Sequence, residues 1–318
     1  MDQETLRTRR HERRREIRRR RAVAASALVL AACAVIAAIA LGFGGAKTAG
    51  DAKTTATERA KGSQQKASST ATSARGTGPR AAAVPILMYH VIAPPPAGAP
   101  FPGLYVPPEE FEQQMLALKN AGWHAVTLDQ LQANWRTGAS LGPGKPIVLS
   151  FDNGYQSQYT HALPVLRRLG WVGVENIQLT GLPPSQGGLG QEEIRGLVSA
   201  GWELDTQGFT HADLITLDAE QLHYQVAVAR QVVQQRYHVP VNWFCYPSGH
   251  YDQTVVAEVS AAGYEGSTTV VPGWVRRAED PYRMHRLRVL GGTSGPQLLE
   301  LIADTRTSEP APVSYNGA

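Results

Sequence analysis

The chain has 318 residues, an apolar content ordinary for a globular protein, and a formal net charge of +4 at pH 7. This length allows one large domain or two small ones. The positive charge is concentrated in the arginine-rich residues 1–21, and the remainder of the chain is near neutral to acidic. The basic pI therefore reports a tail and excludes a nucleic-acid-binding face on the domain. A nucleic-acid arm is the alternative interpretation of such a tail, but the next segment argues against it.

An apolar stretch without any charged residue follows at 22–46. A helix of this length reaches roughly 37 Å, enough to cross the hydrocarbon core of a bilayer with some tilt. Arginines on one flank predict that residues 1–21 stay in the cytoplasm. The pattern predicts a single-pass membrane anchor, a cell-membrane location and an extracytoplasmic main domain.

Two alternatives to an uncleaved anchor remain open. A cleaved signal peptide usually has a shorter apolar region. A lipoprotein signal is suggested by Leu30-Ala31-Ala32-Cys33, although apolar residues continue past Cys33. The other cysteine, Cys245, lies in the domain, so no disulfide can form within it and the fold must depend on its core.

Two segments lack the large apolar residues that a packed structure needs. Residues 47–83 are rich in Ala, Thr, Ser, Lys and Gly and predict a disordered linker, with a root-mean-square span of about 30 Å. Residues 306–318 contain Pro and Ser and predict a flexible tail.

Between these segments, at 84–305, short apolar runs alternate with amphipathic stretches. The predicted strands are 86–90, 124–127, 146–151, 172–179, 202–206, 241–246 and 264–269, and the predicted helices are 108–121, 128–135, 157–169, 191–200, 218–237 and 252–261. Such alternation indicates an α/β domain with parallel strands. Polar residues follow several different strands, which favours a (β/α) barrel. A doubly wound sheet is the alternative, but no Gly-rich phosphate loop follows the first strand.

Three segments that follow predicted strands carry the polar residues. They are Ser150-Phe151-Asp152-Asn153-Gly154-Tyr155, Asp205-Thr206-Gln207-Gly208-Phe209-Thr210-His211 and Phe244-Cys245-Tyr246-Pro247-Ser248-Gly249. Each one alone is an ordinary turn former. Their order along one predicted barrel indicates a shared site.

These segments resemble the motifs of the polysaccharide deacetylase family, carbohydrate esterase family 4. The first resembles Thr-Phe-Asp-Asp-Gly, the second Ser-His-Thr-x-x-His, and the third Phe-x-Tyr-Pro-x-Gly. Further similarity lies in Pro85-Ile86-Leu87-Met88-Tyr89-His90, Val126-Thr127-Leu128 and Arg286-Leu287-Arg288-Val289. The resemblance covers about residues 84–305. It implies a distorted (β/α)7-type barrel and hydrolysis of N-acetyl groups on a glycan.

The resemblance also implies roles for individual residues. Asp152 matches the family's catalytic base, and His211 matches its second metal-binding histidine. Asn153 and Gln207 stand where the family has its metal-binding Asp and its first His. Because one imidazole with two amides suits zinc poorly, we expect a weakened divalent-metal site or none. Asp205, where the family usually has Gly, is predicted to be a buried Asp near a strand end, with metal ligation as the alternative.

Other positions are candidates for catalysis and substrate binding. The backbone N–H of Tyr246 resembles a family oxyanion donor, and His285 is a candidate proton donor. His90 and Tyr155 are candidates for substrate binding, with a structural histidine bonded to a neighbouring loop as the alternative for His90. Trp274 is a candidate as well, because aromatic faces stack on sugar rings, with packing as its alternative role.

Two hypotheses for function follow. One is a carbohydrate N-deacetylase-type hydrolase acting on peptidoglycan or an exported amino-sugar polymer. The other is a catalytically impaired relative that serves as a glycan-binding module. Neither hypothesis involves nucleic acid.

Overall fold

The computed structural model describes residues 83–180, 182, 187–307 and 309–317. The predicted cytoplasmic tail at 1–21, the membrane anchor at 22–46 and nearly all of the linker lie outside these residues and stay predictions. Within the described part of the chain, no helix is both long and apolar enough to cross a membrane.

A curled sheet of mostly parallel strands forms the centre of the domain. Its strands are β1 (Val84–Tyr89), β2 (Trp123–Val126), β3 (Lys145–Asn153), β4 (Val174–Ile177), β5 (Glu203–Thr206), β6 (Trp243–Cys245), β7 (Gly266–Thr268), β8 (Trp274–Val275) and β9 (Leu287–Arg288). The hydrogen-bonded order is β7-β6-β5-β4-β3-β1-β8, with β2 beside β3 and β9 beside β1. Only the β1–β8 pair is antiparallel. All seven predicted strands are present, and the short β8 and β9 are additional.

The segment that contains β9 connects the two ends of the curled sheet. The backbone N–H of Met284 donates to the carbonyl of Ser267 in β7, and the N–H of Val289 donates to the carbonyl of Met88 in β1. A half-barrel is thereby joined across its opening, which fits the distorted (β/α) barrel expected from the sequence. The segment that contains β9 is important for the site, because it also carries Arg286, directly before β9.

Helices cover the outside of the sheet. They are α1 (Pro108–Asn120), α2 (Leu128–Thr137), α3 (Leu163–Leu169), α4 (Gln191–Ser199), α5 (Ala219–His223), α6 (Ala229–Tyr237), α7 (Gln253–Ala261) and α8 (Gly295–Asp304). The predicted helices 157–169 and 218–237 both form, but each contains a π-helical turn, at Gln158–Ala162 and Tyr224–Val228. The sequence prediction did not include α8.

The alternation of side chains along β3 separates the core from the site. Leu149 and Phe151 belong to the core cluster beneath the helices, and Phe151 packs on Trp202 with ring centroids 4.9 Å apart. Ser150 and Asp152 face the opposite side, the barrel interior, because successive residues of a strand point to opposite faces. The strand thus directs Asp152 inward while its neighbour anchors the helical layer.

Helix α2 closes the amino-terminal end of the barrel. Thr127 caps it, accepting the Gln130 N–H in a capping box. The carboxylate of Glu203, at the start of β5, accepts the N–H groups of Leu128 at 3.2 Å and Asp129 at 2.7 Å. The half-buried carboxylate of Glu203 therefore receives helical N–H groups that have no partner within the helix.

The carboxyl-terminal residues differ from the predicted flexible tail. Among the described residues 309–317, Tyr315 exchanges two backbone hydrogen bonds of 2.8 Å with Tyr251. The hydroxyl of Tyr251 donates to the carbonyl of Pro312 at 2.8 Å. Apolar content alone did not reveal these contacts, since most of them are backbone hydrogen bonds.

Candidate active site

A pocket of about 450 Å³ opens at the carboxyl ends of the parallel strands. Asp152, Asn153, Gln207 and His211 all line it, together with His90 and Tyr155. The structure thus brings together the residues that three separate motifs had suggested. This placement follows from topology, because β3 and β5 run in the same direction with β4 between them.

Asp152 lies on the floor of this pocket and is 1% exposed. Arg286 binds it in bidentate fashion: Nη1 donates to Oδ1 at 2.7 Å, and Nη2 donates to Oδ2 at 2.9 Å. Asn176 Nδ2 donates to Oδ1 at 2.9 Å. Paired charges of this geometry fix both the position and the plane of a carboxylate.

This ion pair also sets the charge of Asp152. Burial by itself raises the pKa of the carboxyl, but the Arg286 guanidinium outweighs burial and lowers that pKa to about 2. Asp152 is therefore an anion at neutral pH. Arg286 is itself buried, and its Nε donates to the carbonyl of Thr269 at 2.8 Å. Neither charge is left without a partner.

His90 approaches the same carboxylate, with its Nε2 4.0 Å from Oδ2 of Asp152. Burial lowers the pKa of His90 to about 4, against the opposing attraction of Asp152. The imidazole is therefore neutral at pH 7. Its Nδ1 is buried without a hydrogen-bond partner among the described residues. His90 thus presents a neutral ring at the pocket, as expected for a residue that contacts substrate.

Asn153 and Gln207 contact each other at the end of β3. The backbone N–H of Asn153 donates to Oε1 of Gln207 at 3.0 Å. The side-chain Nδ2 of Asn153 donates to Oε1 of Gln178 at 3.2 Å. Asn153 has a left-handed backbone with φ of +77°, a conformation that Asn tolerates better than most residues.

These side chains do not fit the zinc site that the resemblance implies. Zinc prefers imidazole, thiolate and carboxylate ligands in tetrahedral geometry. His211 is the only such ligand among the three expected positions, and the Gln207 oxygen already accepts a hydrogen bond. Across the described residues, no group of three or more His, Cys, Asp or Glu side chains is arranged to hold a metal ion.

Asp205 does not supply the missing ligand. It does not line the pocket, and its Oδ1 accepts the backbone N–H groups of Asn242 at 3.2 Å and Trp243 at 2.9 Å. Burial, followed by repulsion from Glu203, raises its pKa. Of the two roles considered from the sequence, the structure favours the buried structural one.

Three candidate residues are placed differently from the prediction. The N–H of Tyr246 donates to the carbonyl of Thr268 at 3.3 Å, so this proposed oxyanion donor is engaged in the sheet. His285 is 1% exposed and lies outside the pocket, with Nε2 3.0 Å from the carbonyl of Glu309. Trp274 pairs with Pro85 at the start of β1, the end of the barrel opposite to the pocket. Its indole packs against α8, donating to the carbonyl of Ile302.

Sequence reasoning gave no role to several residues that form the pocket. Arg286 appeared only as part of a motif, although it holds Asp152. Phe101, which is 68% exposed, and Arg288 also line the pocket. The sequence carried no clear signal for Arg286, because Arg283, His285 and Arg288 stand in the same segment.

Comparisons with known proteins show what the domain is similar to. The family profile described as polysaccharide deacetylase matches residues 140–267. The protein YxkH of Bacillus subtilis (strain 168), named for the same family, is 29% identical over 216 residues, which span 67% of this chain and 74% of YxkH. A poly-beta-1,6-N-acetyl-D-glucosamine N-deacetylase of Escherichia coli (strain K12) is 39% identical over 62 residues, only 20% of this chain and 9% of that protein.

Solved structures show the same likeness. A polysaccharide deacetylase from Bacillus cereus is 26% identical with a TM-score of 0.61, covering 70% of this chain and 69% of that one. The Streptococcus pyogenes deacetylase PplD, in complex with acetate, has a TM-score of 0.64 at 22% identity, covering 70% of this chain and 99% of that one. The second likeness concerns the fold alone.

Proposed function

Because this chain belongs to the polysaccharide deacetylase family, we propose that it acts on the N-acetyl groups of an amino-sugar polymer at the pocket around Asp152. The observation that carries the proposal is the buried Asp152–Arg286 pair at the floor of that pocket. A surface carboxylate would rotate freely, whereas this one is fixed toward the interior of the site. Fixed orientation is what a base that acts on a bound water needs.

In the proposed reaction, residues of this chain would both bind the substrate and accept the proton. The anionic Asp152 would accept the proton of the attacking water as the water oxygen bonds to the acetyl carbon. That proton would pass to the amide nitrogen as the C–N bond breaks, which releases acetic acid and a free amine. A carboxylate with a pKa of about 2 is a weak base. His90, as a neutral ring beside Asp152, would contact the acetamido group. In metal-dependent relatives a divalent cation would polarise the amide carbonyl, but the donor set here fits such an ion poorly.

The mouth of the pocket is suited to a sugar ring. Phe101 exposes 68% of its surface at the rim. Its loop is fixed by backbone hydrogen bonds, including those from Leu104 to Phe101 and from Val91 to Leu104. Phe101 and Arg288 both line this pocket, so it offers an aromatic stacking surface and a guanidinium hydrogen-bond donor. A glycan could therefore bind with its N-acetyl group directed toward Asp152.

A glycan-binding module without hydrolysis is the second candidate. It is favoured by the amides at the two altered ligand positions, which bond to neighbouring protein groups. In that case the pocket would retain its sugar contacts and lose turnover.

Acetate release from acetylated chito-oligomers, measured with the full-length chain and its Asp152→Asn variant, tests the hydrolase. The proposal expects release that falls by at least about 100-fold in the variant. Binding of the same oligomers, followed by calorimetry, separates the candidates. Binding with no acetate in either protein would refute the hydrolase and leave the binding module. Neither acetate nor binding would refute both.

The location of the domain is a separate part of the proposal. The uncharged residues 22–46 support a membrane anchor, and arginine-rich residues before them support an extracytoplasmic domain. Peptidoglycan or an exported polymer would then be the accessible substrate. Protease treatment of intact cells without their wall should remove the domain. Full protection there, with cleavage after lysis, would contradict this location.

A further inference from the structure

Three glutamine and asparagine side chains connect the ends of three neighbouring strands. Asn153 ends β3, Gln178 follows β4 directly, and Gln207 follows β5 directly. Gln207 accepts the backbone N–H of Asn153, Asn153 donates to Gln178, and Gln178 Nε2 donates to the carbonyl of Thr180 at 3.1 Å. We call these three residues the amide network.

Backbone groups fix the orientation of every amide in the network. A backbone N–H can only donate, so the Asn153 N–H requires the oxygen of Gln207 to face it. A backbone carbonyl can only accept, so Thr180 requires the nitrogen of Gln178. The oxygen of Gln178 must then face Asn153, which has to donate its own Nδ2. No member can reverse its amide without leaving two donors or two acceptors in contact.

The consequence for cation binding is direct. The Gln207 and Gln178 oxygens each accept an N–H group of Asn153, so each has one lone pair fewer to offer a cation and its direction is set by that hydrogen bond. Rotating either amide would leave an N–H without its partner, at the cost of a buried hydrogen bond. Gln207 is 2% exposed and Asn153 is 7% exposed, so water would not readily replace that partner.

We propose that the amide network takes the structural place of the metal ion in this chain, holding β3, β4 and β5 together, and that the pocket does not recruit a divalent cation. The inference rests on the proposed function only for the identity of the pocket. It predicts a site that resists chelators and whose stability depends on the network instead.

The metal test uses the full-length chain, dialysed against micromolar zinc and analysed for bound metal. The wild type should hold well under one zinc per chain, and zinc should not raise its unfolding temperature. The double variant Asn153→Asp/Gln207→His restores a carboxylate and an imidazole beside His211. Its zinc affinity should exceed that of the wild type by roughly 100-fold or more.

The stability test stands even if the double variant does not fold. Gln207→Ala leaves the Asn153 N–H without its acceptor and should lower the folding equilibrium constant roughly tenfold. The matched control is Gln156→Ala, which removes an exposed glutamine whose Nε2 donates to Glu193. This control should change the equilibrium constant by far less.

Two results would overturn the inference. One is stoichiometric zinc in the wild type that disappears in His211→Ala. The other is equal stability of Gln207→Ala and Gln156→Ala. Both readouts are independent of acetate release, so a failure here is distinguishable from a failure of the proposed activity.

Discussion

Replacing Arg286 by methionine should be among the most damaging single changes in the domain. Methionine fills similar space but leaves Asp152 as a buried anion, with Asn176, the Cys245 thiol at 3.5 Å and the neutral His90 ring at 4.0 Å as its neighbours. Removing one member of a buried ion pair costs about 3–5 kcal/mol. The pKa of Asp152 gives a second, lower value for the same free-energy cost. Holding the pKa at about 2 instead of 3.8 corresponds to about 2.5 kcal/mol at neutral pH, before the cost of burial is added.

The measurement is urea unfolding of the full-length chain at pH 7, followed by tryptophan fluorescence. Asp152→Asn and the double variant complete a mutant cycle, and the double variant should recover much of the loss because no charge is left unpaired. The pH dependence has a definite sign. A carboxylate whose folded pKa is depressed contributes stability above its unfolded pKa and loses that contribution as pH falls toward about 2. The deficit of Arg286→Met should therefore shrink as pH is lowered below about 4. A loss under about 1 kcal/mol, or additive effects in the cycle, would refute the reasoning.

Two further predictions concern other parts of the domain. Phe101→Ala should weaken binding of chito-oligomers roughly 5- to 10-fold by calorimetry, whereas Leu290→Ala, which removes another exposed apolar side chain outside the pocket, should not; equal effects would exclude stacking at the rim. Burial, followed by repulsion from Asp129, raises the pKa of Glu203, which also faces Asp205. The stability that Glu203 contributes is therefore present below its unfolded pKa and is lost as pH rises. Unfolding between about pH 5 and 8 should show this decline in the wild type and in the exposed control Glu192→Gln, and a shallower decline in Glu203→Gln, because burial also raises the pKa of Asp205; an unchanged slope in Glu203→Gln would contradict it.

The periodicity of the sequence was sufficient to predict the seven main strands and six of the helical segments. It was also sufficient to gather Asp152, Asn153, Gln207 and His211 at one pocket, because parallel strands bring their carboxyl ends to the same edge. The same reasoning selected His285 instead of Arg286. His285 and Arg286 come directly before β9, and consecutive residues of an extended segment face opposite sides. Which of the two faces the barrel interior depends on how β9 pairs with β1, and the sequence does not give that register.

Other features could not be predicted because they depend on contacts between distant parts of the chain. The Arg286–Asp152 pair joins residues 134 positions apart. Trp274 was assigned to a sugar site, but β8 runs antiparallel to β1 and carries it to the opposite end of the barrel. The amide network depends on two backbone partners that no residue spacing reveals. The family resemblance marked the altered positions, but the sequence did not show what the replacements bind.

The two-sided use of β3 has a consequence for how the protein can change. Phe151 and Asp152 are adjacent, so deleting one residue earlier in the strand would exchange their directions. The ring of Phe151 would then enter the polar interior of the barrel, and the carboxylate of Asp152 would be buried in the apolar core under the helices. Single substitutions can change the chemistry of the pocket without altering the register of β3. A change in the length of β3 should disrupt both the core packing of Phe151 and the position of Asp152. We therefore expect insertions and deletions to be tolerated in the loops alone, and libraries for altered substrate choice should vary the loop that carries Phe101 rather than β3.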